Sequence, residues 1–460
     1  MTQSVNASSV IDRVGLRELL EREERRFVDD HPRSGALFNR ARSTLLAGVP
    51  MPWMTQWAGA YPVFVEEATG ARFVDVDGNE YVDFCLGDTG AMTGHSPSTV
   101  TATISEQAAR GITVMLPTED AIAVSEMLAG RFGLPYWQFC LTATDANRFV
   151  IRIARELTRR PKILVFSWCY HGTVDETFIV LEDDKPHARP GNIGPPVDPT
   201  KTTRVVEWND AGALERELSF GDVACVLTEP ALTNIGIVHP APNFHSDLRD
   251  LCNQTGTLLV IDETHTMCAG PGGYTAAHEL DPDLVTVGKA LASGVPAAAY
   301  GMSEKIGARA IELPKIVETS DIGGIGGTLS GNALSLAAMR STLESVLTEE
   351  AFPRMIELAE RFERGVADVI DRASLPWHVT RLGCRVEYAF RSTPPANGGE
   401  AAAAVDEELD RFLHLYALNR GILMTPFHNM ALMSPATSEA DVDRHTEVFS
   451  EAAGELAAKG

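Results

Sequence analysis

Two charged side chains stand where charge is expensive. The run DLVTVGKALASG ends an apolar strand on Lys289 and continues in small residues, and TLLVIDE ends another on Asp262. Lys162, Lys185, Lys201, Lys305, Lys315 and Lys459 sit mostly in polar contexts. Burying a lysine is costly unless the amine is paired or used. Singly, each residue has an ordinary explanation. Lys289 can reach solvent along its own methylene stem, and Asp262 can cap the next helix. Together they suit one chemistry. An aldehyde cofactor needs an amine to form an imine. It also needs a carboxylate at the ring nitrogen, which keeps a pyridinium protonated so that the ring can draw electrons from the reacting carbon.

The elements that must position this pair are readable around it. KILVF, ACVLTE, TLLVIDE and DLVTVGK are short, apolar throughout and separated by polar or helical segments. Strands covered on both faces read this way, so the expectation is a parallel sheet flanked by helices. Ligands of such sheets sit beyond the carboxyl ends of the strands. Ala146, Phe149, Val150, Ile153 and Leu157 recur at helical spacing.

Outside this region the pattern changes. A polar helix runs from about Gly15 to Phe27, followed by the loop GVPMPWMTQWAGAYP. Asp77-Gly78 between two alternating runs predicts a hairpin. Helices are expected from Ala333 to Val346 and onward to Ala373, with strands in RVEYAF, GILMTP and MALMSP. A last helix opens at Ser438 with Ser438-x-x-Asp441 capping spacing. The expected organisation is an N-terminal segment and hairpin (1–95) packed with the small domain, a large domain (96–335) and a small α+β domain (336–460).

Composition narrows the function. The 460 residues are 44% hydrophobic and 22% charged, with a formal charge of −24. That surface repels phosphate backbones and anionic lipid, so neither nucleic acid nor membrane is an expected partner. The opening residues show no basic stretch followed by an apolar run, and no stretch reaches the roughly 18 apolar residues of a span. The seven cysteines are scattered without a CxxC pair, which reads as reduced thiols in a cytoplasm. There is no HExxH, and no metal is expected. GGIGGTLSGN is Gly-rich but has neither GxGxxG spacing nor GK[ST].

LTATDANRFVIRIAR, YHG, TEPALTNIGIV, LVIDETHT, VGKALASGVPAAAYG and GGTLSGN, in this order, resemble the class III pyridoxal-phosphate-dependent aminotransferases. The nearest branch is that of glutamate-1-semialdehyde aminomutase and the β-amino-acid transaminases. The resemblance covers nearly the whole chain. It implies the fold type I α/β architecture, with a mostly parallel seven-stranded sheet in the large domain. It implies that Lys289 is the Schiff-base lysine, which also shuttles the proton, and that Asp262 partners the pyridine nitrogen. Thr264 falls where the family usually has Val against one ring face, and Tyr170 matches the aromatic on the other. Asn234 matches the residue near the phenolic oxygen, with Glu229 behind it. Thr142, Ala143 and Thr144, followed by Asp145, stand at the phosphate, where the family usually has Ser-Gly-Thr-Glu. Gly327 and Thr328 match the pair that reaches the neighbouring subunit's phosphate, which implies a homodimer with shared sites.

The substrate side is less legible. Relatives often hold a carboxylate with an arginine in the pre-hairpin loop or in a C-terminal loop. Here the first, MPWMTQWAGAYP, has none, and the second, TPFHNMALMSP, offers His428 and Asn429. The expectation is a pocket shaped by Trp53, Trp57, Phe427 and His428, with Arg385 as substitute carboxylate ligand. Both tryptophans can equally be packing between lobes. LGDTGAMTGHS is expected as a wall, its His95 in a structural role. The leading functional reading is an aminotransferase moving an amino group from an amino acid or amine donor to a 2-oxo acid acceptor. The alternative is an aminomutase or racemase/epimerase on the same scaffold. A dinucleotide oxidoreductase and a non-catalytic binding protein are also weighed. The missing glycine fingerprint argues against the third reading, and the intact Lys289–Asp262 pair against the fourth.

Overall fold

The computed structural model describes residues 11–194, 197–313 and 324–459. Lys315 and Gly323, the first residue of GGIGGTLSGN, lie outside the described residues. The strands, in chain order, begin with β1 (Val65–Thr69), β2 (Arg72–Asp75), β3 (Glu80–Asp83), β4 (Tyr136–Cys140), β5 (Lys162–Phe166), β6 (Ile179–Glu182), β7 (Lys185–Ala188) and β8 (Thr203–Val206). Then come β9 (Val223–Thr228), β10 (Leu258–Asp262), β11 (Leu284–Val287), β12 (Ala298–Met302), β13 (His378–Leu382), β14 (Arg385–Ala389), β15 (Ile422–Leu423) and β16 (Met430–Leu432).

Every residue of β9, β10, β11 and β12 is buried. Strands with no wet face need cover on both sides. They form the middle of a seven-stranded sheet of order β4-β12-β11-β10-β9-β5-β8. Six strands share one direction, and β12 opposes both its neighbours. The helix Ala143–Thr158 follows β4 and buries Ala146, Phe149, Val150 and Ile153, the face its spacing predicts. Parallel register sets Asp262 of β10 opposite Thr286 of β11, and Ile261 opposite Thr228 of β9. Asp262, Lys289 and Glu229 therefore all emerge at the same end of the sheet.

The chain divides into two compact units, Ser98–Phe352 with Pro395–Ala403, and Met1–Pro97 with Pro353–Pro394 and Ala404–Gly460. The boundary expected at 335/336 is corrected. The helix Ala333–Ser345 belongs to the larger unit because its polar atoms are tied there. Ser335 Oγ donates to the Pro296 carbonyl (2.9 Å), and Arg131 Nη2 donates to the Leu343 and Leu347 carbonyls (2.8 and 2.9 Å). The short return 395–403 was not anticipated. There a Cβ on Gly398 would lie 2.4 Å from the Ser167 carbonyl oxygen, so only glycine fits.

The other unit holds two sheets, β1-β2-β3-β15 and β13-β14-β16. The hairpin predicted at Asp77-Gly78 joins β2 to β3, with Gly78 at φ +89°. Phe27, Phe73, Tyr81, Leu415 and Leu418 form one of its hydrophobic clusters. The last helix, Glu439–Lys459, opens on a reciprocal cap: Ser438 N donates to Asp441 Oδ2 (2.9 Å), and Asp441 N to Ser438 Oγ (3.3 Å). No described helix is long and apolar enough to cross a membrane. All seven cysteines are buried and unbridged.

Candidate functional site

Asp262 is the last residue of β10 and is buried with its neighbours. Thr286 Oγ1, across the β10–β11 register, donates to Asn147 Oδ1 (2.7 Å), and Asn147 Nδ2 donates to Asp262 Oδ2 (2.8 Å). His171 Nδ1 lies 2.9 Å from the same oxygen, and Thr264 N donates to Oδ1 (3.0 Å). Two strands, the helix Ala143–Thr158 and the turn after β5 thus fix one carboxylate. Burial alone would push Asp262 up. The His171 hydrogen bond and charge, helped by Thr264 and Asn147, bring it below the usual carboxylate range. Burial likewise opposes charging of His171, but Cys169 beside it and Asp262 hold it well above the ordinary imidazole value. The result is a buried imidazolium–carboxylate pair with the carboxylate ionised.

Lys289 emerges two residues after β11 at φ +46°, a left-handed conformation uncommon for a side chain of this size. Its Nζ meets His265 Nε2 at 2.8 Å. Gly288 allows this approach to the neighbouring helix, since a Cβ there would come within 3.1 Å of the Ala143 Cβ.

Thr142 caps the helix Ala143–Thr158, accepting from Asp145 N (3.1 Å) and donating to Asp145 Oδ2 (2.9 Å). Ala143 is the first helical residue and has no positive φ, so it needs no glycine there. Gly172 is required. At φ +75° its Cβ would strike Thr144 Oγ1 at 2.1 Å, and the next residue, Thr173, donates its N–H to that hydroxyl (3.1 Å). YHG is thus the sequence that lets the turn after β5 close on the helix start.

Glu229, just beyond β9, accepts from Tyr170 N (3.2 Å) and Thr233 N (3.1 Å), and also from the Thr233 hydroxyl. Burial raises its pKa. It ties the Tyr170 turn to the segment leading to half-buried Asn234. Thr264 is buried beside Asp262. Gly327, at φ +134°, and Thr328 are exposed.

Sequence reasoning missed Asn147, His171, Thr286 and His265. Signals for three of them were present: His171 is the middle of YHG, Asn147 lies in TDANRF, and His265 stands three residues after Asp262.

The residues expected on the substrate side lie in the smaller unit. Trp53 and Phe427 meet edge to face, ring centres 5.7 Å apart, and are 42% and 48% exposed. Trp57 is half-buried. His428 Nδ1 pairs with Glu387 Oε1 (3.1 Å). Arg385 requires correction as a ready carboxylate ligand. It is fully buried, its Nη2 3.5 Å from Glu387 Oε2, so its charge is matched within the protein. Asn429 instead bridges Asp410 and His414, donating to the first (2.7 Å) and standing 3.1 Å from Nε2 of the second. His95 pairs with Asp83 (2.7 Å), a bond that fixes its own loop.

The larger-unit residues fit pyridoxal phosphate. An ionised carboxylate, an amine, and a capped helix start whose first N–H groups point out of the helix stand at one sheet end. The close approaches at Gly172 and Gly288 shape that end.

The class III aminotransferase family model matches residues 53–452. Glutamate-1-semialdehyde 2,1-aminomutase from Sorangium cellulosum is 34% identical over 91% of this chain and 95% of its own. A second such enzyme, from Brevibacillus brevis, is 32% identical over 90% and 96%. The crystal structure of a glutamate-1-semialdehyde aminomutase from Pseudomonas aeruginosa, in complex with PMP, superposes with a TM-score of 0.95 at 48% identity, covering 97% of this chain and 99% of that one. A β-phenylalanine aminotransferase from Variovorax paradoxus gives 0.84 at 25% identity, over 95% and 97%.

Proposed function

Because this chain belongs to the class III aminotransferase family and uses pyridoxal phosphate, we propose that it is an aminomutase, moving an amino group between carbons of a single substrate molecule. The observation that carries this reading is the near full-length likeness, at 48% identity, to the Pseudomonas aeruginosa aminomutase. It reverses the order of the two leading readings taken from the sequence.

When bound, the cofactor supplies an aldehyde for an amine and a ring that draws electrons from the carbon losing its proton. Lys289 is the amine that holds the cofactor between turnovers and takes and returns the proton at substrate carbon. Asp262 would hold the ring nitrogen and keep its proton there, with Asn147 and His171 fixing the carboxylate. Thr142, Ala143 and Thr144 receive the phosphate at the helix start. Tyr170 and Thr264 would flank the ring, Asn234 would hold the phenolic oxygen, and Glu229 ties the Tyr170 turn to the segment leading to Asn234. Gly327 and Thr328 would reach the phosphate held by a second copy, which makes the working unit a homodimer. Seven unbridged cysteines support a reducing, cytoplasmic setting.

Glutamate 1-semialdehyde, named for the relatives, is the first substrate to try. The test is conversion of a 15N-labelled amino aldehyde with no 2-oxo acid added. The label should stay in the product, and turnover should continue without an acceptor. Strict dependence on pyruvate or 2-oxoglutarate, with release of an oxo product, would establish a transaminase instead. That second reading draws support from the likeness to the Variovorax paradoxus β-phenylalanine aminotransferase.

A further inference from the structure

We propose that His265 is the positioning residue for the Lys289 amine and the store for the proton that this amine carries; this rests on the cofactor-lysine reading of Lys289. The two nitrogens are 2.8 Å apart. His265 is 7% exposed, and the turn that carries it is rigidly anchored. Glu263, buried beside it, accepts from Tyr274 N (3.0 Å) and from Thr275 N and the Thr266 hydroxyl. The Glu263 carbonyl accepts from Met267 N (3.0 Å). Gly273 closes this clamp at φ +63°, where a Cβ would stand 2.4 Å from Glu263 Oε2. These bonds fix the backbone turn from which the buried His265 ring reaches the amine.

The chemistry needs a place for one proton. When Lys289 Nζ removes a proton from carbon it becomes an ammonium. Passing one N–H proton from Nζ to His265 Nε2 leaves a neutral amine and an imidazolium. The reverse transfer restores the ammonium before the proton is delivered to the second carbon. No electrons change hands, and no co-reactant is needed. At ordinary values an ammonium holds its proton against an imidazole by about four pH units, so the imidazolium is a short-lived minor state that returns its proton readily.

Other titratable groups at this end of the sheet include Asp262 and Glu263 on the same turn, Cys140 at the end of β4, Asp145 at the helix start, Cys169, Tyr170 and His171 after β5, Glu207 after β8, and Glu229 after β9. Asp262 is engaged by His171 and Asn147, Glu263 by its own turn, Asp145 by Thr142 and Glu229 by Thr233. Beside these, His265 lies 2.8 Å from the amine.

The experiment uses the full chain freed of cofactor. Acetylation of Lys289 by acetic anhydride is followed against pH by peptide mass. An acceptor bonded to the ammonium form raises the labelling midpoint. His265→Leu should therefore lower it by about one to two pH units, the scale of a hydrogen bond to a charged group. His265→Gln keeps an acceptor without a titrating nitrogen and should restore most of that shift. In the loaded protein Gln should still slow turnover, with the pH profile losing one limb. An unchanged midpoint in His265→Leu, or a shift that Gln fails to restore, overturns the proposal. A wild-type pH profile in His265→Gln overturns the proton store. Borohydride reduction of the loaded chain separates this from the parent reading. A pyridoxyl label on another lysine defeats the cofactor assignment, whatever the midpoint does.

Discussion

Replacing Asp262 by Asn tests the centre of the site, because shape is nearly conserved and charge is not. The carboxylate takes three N–H donors, from Asn147, His171 and Thr264. Asparagine offers one accepting oxygen and one donating NH2. Turned one way, its NH2 faces the Thr264 N–H; turned the other, it faces Asn147 and His171. At least one buried donor is left unmet, at about 1–3 kcal/mol. His171 also loses the anion that sustains its charge. For the reaction, the lost group is a preorganised electrostatic partner, and such losses cost about 10²–10³ in rate. The assay is a single turnover of the loaded variant with substrate, followed by cofactor absorbance, beside urea unfolding of the same preparation. Asn147→Ala is the control: it loosens the carboxylate but keeps the charge, so it should lose stability and retain most of the rate. A near wild-type single turnover in Asp262→Asn would refute the electron-sink argument. Asp262 also lies below its ordinary 3.8 in the folded protein. Its stabilisation is present above that pH and fades as pH falls further, an acid limb that Asp262→Asn should lack.

Lys289→Ala should abolish turnover while the phosphate still retains some cofactor, read by absorbance after gel filtration. Thr328→Ala should weaken cofactor retention without removing the lysine chemistry, and the protein should sediment as a dimer or a multiple of one; a fully active monomer would contradict the shared site. Arg385→Met leaves Glu387 short of a buried partner, a loss of about 3–5 kcal/mol, so a lowered Tm is expected rather than a selective loss of carboxylated substrates. Burial pushes Asp410 from 3.8 up to about 7, so its contribution is present at low pH and lost as pH rises from about 4 to 7. At about 1.4 kcal/mol per pH unit this amounts to roughly 4 kcal/mol. Asp410→Asn should therefore gain Tm relative to wild type at pH 8 but not at pH 4.

The strands that carry chemistry were legible because burial on both faces leaves an unbroken apolar run, as in TLLVID and LVTV. Three strands of the same sheet were not: β8, TRVV, is only four residues long and carries an arginine. β4, YWQFC, mixes exposed and buried positions, and β12, AAYGM, is too small and glycine-bearing to read as a strand. Its Gly301 exists because Trp137 occupies the space a Cβ would need, at 2.7 Å. That is a tertiary fact with no local trace. Lys289 and Asp262 stood out because charge at the end of an apolar run is costly. The groups that fix them did not. Asn147 and His171 come from distant segments and read singly as ordinary polar residues. Arg385 misled for the converse reason. Its type suggested a carboxylate ligand, and nothing local revealed that Glu387, two residues on and on the same face of β14, already supplies one.

The seven enclosed thiols have a practical consequence. Burial pushes Cys85, Cys140, Cys225 and Cys252 up to about 12, which leaves almost no thiolate at neutral pH, and the thiolate is what reacts with maleimides. Those four thiols are therefore quiet toward attachment chemistry. One cysteine placed on an exposed helix position, Glu357 for example, would be a far more reactive handle than they are for a dye or a surface tether. Loop motions and subunit exchange could then be followed by fluorescence without first removing those four.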